Sequence, residues 1–163
     1  MGVRISLTPF LVILMDCIFC KIAKGEIPSH KIYEDKDFLA ILDINPNTKG
    51  VTLVMTKKHY PSYAFDMPEE IYLNLMKVTK KIANVLDKAL NVKRTAMVME
   101  GLGIDHVHIK LYPIHGLKES FEEMWAPEKI FFEKYEGYIT TQLGERADDK
   151  ELEQLANKIR ESF

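Results

Sequence analysis

His106-Val107-His108-Ile109-Lys110-Leu111-Tyr112-Pro113 sets two imidazoles and an ammonium at every second position of an otherwise apolar run. Side chains alternate faces along a β-strand, so His106, His108 and Lys110 are expected on one face and Val107, Ile109 and Leu111 behind them. A core strand gains nothing from three cationizable groups side by side, because repulsion and desolvation both oppose them. The pattern therefore points to an anionic or metallic partner on that face. The bland alternative is a half-exposed strand whose polar residues meet water.

Working outward, Thr95 to Met99 reads as a second strand, joined to the first by Glu100-Gly101-Leu102-Gly103-Ile104-Asp105. Lys31 to Glu34, Phe38 to Ile44 and Val51 to Thr56 are short β-branched and aromatic runs separated by polar, Pro- and Gly-containing turns, which suits an antiparallel meander. Cys17 to Lys24 carries an apolar face at Ile18, Phe19 and Ile22 and stops at Gly25, as a short helix would. Asp66 and Glu69 have capping-box spacing, and Ile71, Leu75, Val78, Ile82, Val85, Leu86 and Ala89 follow at helical intervals, predicting a helix over Pro68 to Leu90. Strands with one long helix between them and no βαβ alternation indicate an α+β fold.

The 163 residues, 47% of them hydrophobic, suffice for a single domain with a sizeable core. With 22 Lys+Arg against 24 Asp+Glu, the chain lacks the basic surface of a duplex nucleic-acid binder. The apolar run Pro9 to Met15 is short for a membrane span and no small-residue cleavage site follows, so a soluble, cytoplasmic protein is expected. Residues 1–15 read as an N-terminal extension, with residues 1–14 an upstream segment or a mis-assigned start and an edge strand over Phe10 to Leu14 as the alternative.

Cys17 and Cys20 enclose too short a loop for a useful disulfide and read as metal ligands or a redox pair. Zinc takes four N/S ligands in a tetrahedron, and His59 and His106 lie beside predicted strands, so a Cys2His2 structural zinc fits. A metal-bound imidazole is neutral, which removes the penalty of setting His106 next to His108. By residue type alone His59 reads as an exposed residue of Lys57-Lys58-His59. Neither His30 nor His115 has a comparable argument.

Taken together, these residues resemble the histidine triad (HIT) nucleotide hydrolases and transferases. The resemblance runs from Asp16 to Pro113, through Cys17-Ile18-Phe19-Cys20-Lys21-Ile22, Gly25-Glu26-Ile27-Pro28-Ser29, Tyr33-Glu34-Asp35, Phe38 to Ile44, Gly50 to Val54, Lys57-Lys58-His59 and His106 to Pro113. It implies a HIT-like fold with an antiparallel sheet of about five strands, a long helix and a short N-terminal helix, assembled as a homodimer. It further implies zinc on Cys17, Cys20, His59 and His106. His108 takes the place of the nucleophile, and Ile18, Phe19, Ile22 and Ile41 that of the purine pocket, with Asp43 on the ribose hydroxyls and Ile44 and Leu53 nearby. The chemistry implied is attack of His108 on the α-phosphorus of a purine nucleotide conjugate, giving a nucleotidyl-histidine that water hydrolyses.

Two departures stand out. The third histidine of the family is Lys110 here; an ammonium can neutralise phosphate oxygens, but with an ordinary pKa near 10 lysine is a poor proton shuttle at neutral pH. The loop before the triad is shortened and lacks the family's polar side-chain donors, leaving the backbone of Gly101 and Gly103 to meet a phosphate. Asp105 falls on the face opposite His108 and reads as structural. The domain is expected over 16–115, with 116–163 a C-terminal extension packed on it. That extension holds Trp125, a possible strand at Tyr138 to Leu143, and a helix with Leu152, Leu155, Ala156 and Ile159 on one side. Trp125 resembles the C-terminal aromatic that touches the leaving group in some family members; a pocket-shaping helix is the alternative. The functional expectation is a zinc-containing hydrolase or nucleotidyltransferase acting on phosphoramidates or dinucleoside polyphosphates. Its rivals are a nucleotide-binding protein with little turnover and a zinc-stabilised interaction module.

Overall fold

A computed structural model describes residues 17–121, 123–125, 129–135, 137 and 143–163. The proposed edge strand at Phe10 to Leu14 and most of the one at Tyr138 to Leu143 lie outside them. Five strands, β1 (Lys31–Glu34), β2 (Phe38–Leu42), β3 (Thr52–Thr56), β4 (Thr95–Val98) and β5 (His108–Pro113), form one sheet in the order β1-β2-β3-β5-β4, every neighbouring pair antiparallel. Around it lie α1 (Ile18–Ala23), α2 (Glu69–Leu90) and α3 (Asp149–Arg160). This is the α+β, HIT-like architecture that the sequence predicts.

The period-two pattern divides the sheet into two apolar faces. Phe38, Ala40, Leu42, Val54, Ile109 and Leu111 join Val107 and the buried side of α2, which contributes Leu75, Ile82, Val85, Leu86 and Ala89. On the other face Leu39, Ile41, Leu53 and Met55 pack under Phe19, Cys20 and Ile22 of α1. Every residue of β2 and β3 is buried because both faces are covered.

Two local expectations change. Helix α2 begins after Pro68, and Asp66 sits instead in a 3₁₀ turn, Ala64–Asp66, so no capping box forms. Proline suits this boundary, since it has no N–H to leave unpaired, and Glu69 and Glu70 place negative charge at the positive end of the helix. β5 begins at His108 rather than His106, because Val107 donates its N–H to Tyr60 C=O and leaves the ladder.

Helix α3 packs on β1 and α2. Its N-cap Asp148 accepts the N–H groups of Lys150 and Glu151, and Leu152, Ala156 and Ile159 enter the main core. His30 bonds Asp149 and Glu153 across this junction, both at 3.1 Å, and Arg160 bonds Lys31 C=O. Helix α3 is therefore part of the main core's packing.

Leu86 is fully buried between the sheet and the helices. Leu86→Ala is expected to lower unfolding free energy by about 2–5 kcal/mol. Lys80→Ala, at an exposed position of the same helix, should change it by less than about 0.5 kcal/mol in a urea titration.

Candidate active site

The residues flanking β5 carry two linked constellations. In the first, Cys17, Cys20, His59 and His106 bring one donor atom each within 4.8 Å of one another. Cys17 Sγ lies 3.4 Å from His106 Nδ1, and Cys20 Sγ lies 3.5 Å from His59 Nδ1 and 3.6 Å from His106 Nδ1. Tetrahedral zinc, with Zn–S about 2.3 Å and Zn–N about 2.0–2.1 Å, sets sulfur and nitrogen ligands about 3.6 Å apart. The donor set fits such an ion in chemistry and spacing.

The tautomer fits too. His106 Nε2 donates to Thr56 C=O at 2.8 Å, which leaves the Nδ1 lone pair directed at the sulfurs. Burial holds the His106 imidazole down to about 4, so it stays neutral, and pushes the Cys20 thiol up to about 11, with Cys17 adding to the rise. Thiolates in this position call for a cation beside them. Both cysteines are free.

The second constellation is centred on His108, whose Nδ1 donates to His106 C=O at 2.7 Å and whose Nε2 therefore carries the lone pair. Burial, helped by the Lys110 charge, holds its pKa below the ordinary histidine value. A neutral imidazole with a fixed lone pair is a nucleophile. Phe19 meets the rings of both His106 and His108 edge-on, at 5.8 and 5.1 Å, and so spaces the two constellations.

His108 opens into a cavity of about 620 Å³, within the usual range for small-ligand sites. Ile18, Phe19, Ile22, Ile41 and Leu53 form an apolar slot at one end; Asp43, Ile44, Lys110, Gly101 and Gly103 also line the cavity. The substrate-binding residues named from the sequence thus share one space. Asp43 accepts Asn45 N–H at 2.9 Å and lies 3.8 Å from Lys110 Nζ. Ser29 also lines this wall, and its Oγ is buried without a hydrogen-bond partner among the described residues.

The loop beyond β4 is pinned from below. Asp105 accepts Ser62 N–H at 2.8 Å, which holds its carboxyl below the usual range and accounts for it structurally. Gly101 adopts φ +74°, and a Cβ there would stand 2.7 Å from Ser62 O.

Several lining residues escape a reading by motif. Glu100 belongs to the departing loop, and Tyr135 and Leu143 come from the extension. Trp125 does not line this cavity; it is 82% exposed and donates to Glu123. Residue type singled out Trp125 in the sequence, whereas Tyr135 is found only through its contact with Glu100. His30, given no role from sequence, clamps α3, and His115 bonds Lys49 C=O.

A five-stranded antiparallel sheet with an apolar slot leading to a tautomerically fixed histidine defines the class: an α+β protein with a small-ligand site on its sheet. The HIT domain profile matches residues 24–115, and the chain belongs to the HIT family. It is 44% identical over 101 residues to an uncharacterized HIT-like protein of Methanocaldococcus jannaschii, covering 60% of this chain and 78% of that protein. It is 34% identical over 119 residues to the adenosine 5'-monophosphoramidase of Saccharomyces cerevisiae, covering 72% and 75%. Among solved structures, a hypothetical histidine triad nucleotide-binding protein from Sulfolobus tokodaii superposes with a TM-score of 0.69 at 28% identity over 90% of this chain and 91% of that one. A Zn-bound histidine triad family protein from Mycobacterium smegmatis gives 0.63 at 27% identity over 91% and 93%.

Gly101→Ala is expected to destabilise the fold by more than about 1 kcal/mol, through both its positive φ and the clash with Ser62. Thermal unfolding beside the open Gly103→Ala site measures the difference.

Proposed function

We propose that the protein is a zinc-containing nucleotide hydrolase or nucleotidyltransferase that acts on the α-phosphate of a purine nucleotide conjugate through His108. The observation carrying this reading is the His108 Nδ1–His106 C=O hydrogen bond at the mouth of the apolar slot, which aims a free Nε2 lone pair into the cavity. The yeast relative, named an adenosine 5'-monophosphoramidase, supports the substrate class.

The base lies in the slot of Ile18, Phe19, Ile22, Ile41 and Leu53, with Ile44 nearby. Asp43 accepts the ribose hydroxyls, and Lys110 balances the non-bridging phosphate oxygens with backbone N–H groups at Gly101 and Gly103. His108 Nε2 bonds to phosphorus as the P–N or P–O bond to the leaving group breaks; a departing amine takes its proton from solvent. Water then attacks phosphorus and releases the nucleotide and free imidazole. Cys17, Cys20, His59 and His106 would hold a structural zinc, which supplies a rigid, neutral anchor for the segment ending at His108. The Zn-bound relative supports this ion.

A homodimer belongs to the same reading: β4 is an edge strand with Met97 49% exposed, and Leu73 on α2 is 48% exposed. The reduced cysteines that metal binding requires suit the cytoplasm. Among the described residues, no helix is long and apolar enough to cross a membrane. The Lys110–Asp43 pair favours a second reading, a nucleotide-binding protein with little turnover, because it occupies the two groups that would contact ribose and phosphate.

His108→Ala is expected to reduce hydrolysis of adenosine phosphoramidate by at least about 10³-fold while AMP still binds. Equal rates in variant and wild type would remove His108 from the chemistry, and AMP binding without turnover in the wild type would favour the second reading. Protein purified without added metal is expected to contain about one zinc per chain, and His59→Ala to lose most of it. Elemental analysis finding none in the wild type would remove the zinc.

A further inference from the structure

The sheet register orders the cavity from end to end. Ile41 pairs with Leu53, Leu53 with Lys110, and Lys110 with Val98, so β2, β3, β5 and β4 succeed one another beneath it. With the base over β2 and β3 and phosphorus at His108 on β5, whatever phosphorus releases extends over β4 and the loop after it. This placement rests on the reading under Proposed function. The charged residue at that end is Glu100, two positions beyond Val98.

Glu100 is held from the C-terminal extension: Tyr135 Oη donates to its Oε1 at 2.6 Å, and both side chains line the cavity with His108. The loop beneath cannot easily retreat, because Gly101 packs on Ser62 and Asp105 bonds the Ser62 N–H. Lysine appears once among the described lining residues, as Lys110, and arginine does not; that lysine faces Asp43. A polyphosphate leaving group would therefore lie against a fixed carboxylate with no cation of its own. An amine would meet an acceptor, and an amine bearing a second positive charge would meet an ion-pair partner.

We propose that Glu100, positioned by Tyr135, selects the leaving group by charge, admitting neutral and cationic amines and disfavouring anionic groups such as polyphosphates. Tyr135 is a positioning residue in this arrangement, and the C-terminal extension thereby contributes to specificity.

The test uses the full chain and four substrates: the AMP amides of 1,4-diaminobutane, butylamine and 4-aminobutanoate, which differ only at the far end of the leaving group, and diadenosine tetraphosphate. Wild type is expected to rank the amides cationic, then neutral, then anionic in kcat/KM, each step roughly threefold to tenfold, with the tetraphosphate last. Glu100→Gln should flatten the amide series, Glu100→Lys should reverse it, and Tyr135→Phe should flatten it partly. The same ranking measured as Kd on His108→Ala separates selection from chemistry. If wild type turns over none of the substrates but its Kd series follows charge and flattens in Glu100→Gln, hydrolysis is lost from the functional reading and the selector stands. If the charge series is the same in wild type and Glu100→Gln, by rate and by Kd, the selector is overturned whether or not His108 is the nucleophile.

Discussion

The backbone carbonyl of His106 is the acceptor on which the site depends. It takes the Nδ1 proton of His108, while the ring of the same residue gives its Nε2 proton to Thr56 C=O. Two hydrogen bonds, one through the main chain and one through the side chain of a single residue, fix the tautomers of two neighbouring imidazoles. Each then turns its lone pair toward its own partner: His106 toward the sulfurs of Cys17 and Cys20, His108 toward the cavity. A shift of His106 would disturb both, because the residue that closes the sulfur cluster is also the one that orients the candidate nucleophile.

The rest of the fold serves to hold that residue still. Helix α1 brings the two cysteines and Phe19 over one face of the sheet, while α2 seals the other with aliphatic side chains. His106 is fully buried and His108 nearly so, which disfavours a charge on either imidazole. Rigidity matters here because, among the described residues, neither histidine has a carboxylate bonded to its ring to stabilise a protonated form. The lone pair and its direction are what burial preserves.

The sequence makes the sheet, the long helix and the chemistry of β5 legible because each rests on a local period: two along the strands, 3.6 along α2. The boundaries are less so. His106 fits the alternation of β5, yet Val107 pairs with Tyr60 C=O and the ladder starts two residues later, at His108, a choice made by a residue far away in the chain. Asp66 and Glu69 have the spacing of a cap, but Pro68 between them sets the start of the helix. The cavity's apolar wall and Asp43 follow from the motif resemblance, whereas Glu100 and Tyr135 do not, since their contact joins positions 35 apart. His30 is the same kind of case: its two carboxylate partners lie 119 and 123 residues on. Contacts of this sort leave no periodic trace in either segment.

The extension also touches the other end of the cavity. Gly144 donates its N–H to Asn45 C=O and Ala147 donates to Ile44 C=O, and a Cβ at Gly144 would run into the Pro46 carbonyl. The chain entering α3 is thus bonded to the turn that carries Asp43 and Ile44. Free energies of this kind are reciprocal: if a ligand on Asp43 orders that turn, it tightens the docking of α3, and the docked helix returns the same increment to the ligand's affinity. Amide hydrogens of α3 become a reporter of occupancy at the Asp43 end of the cavity.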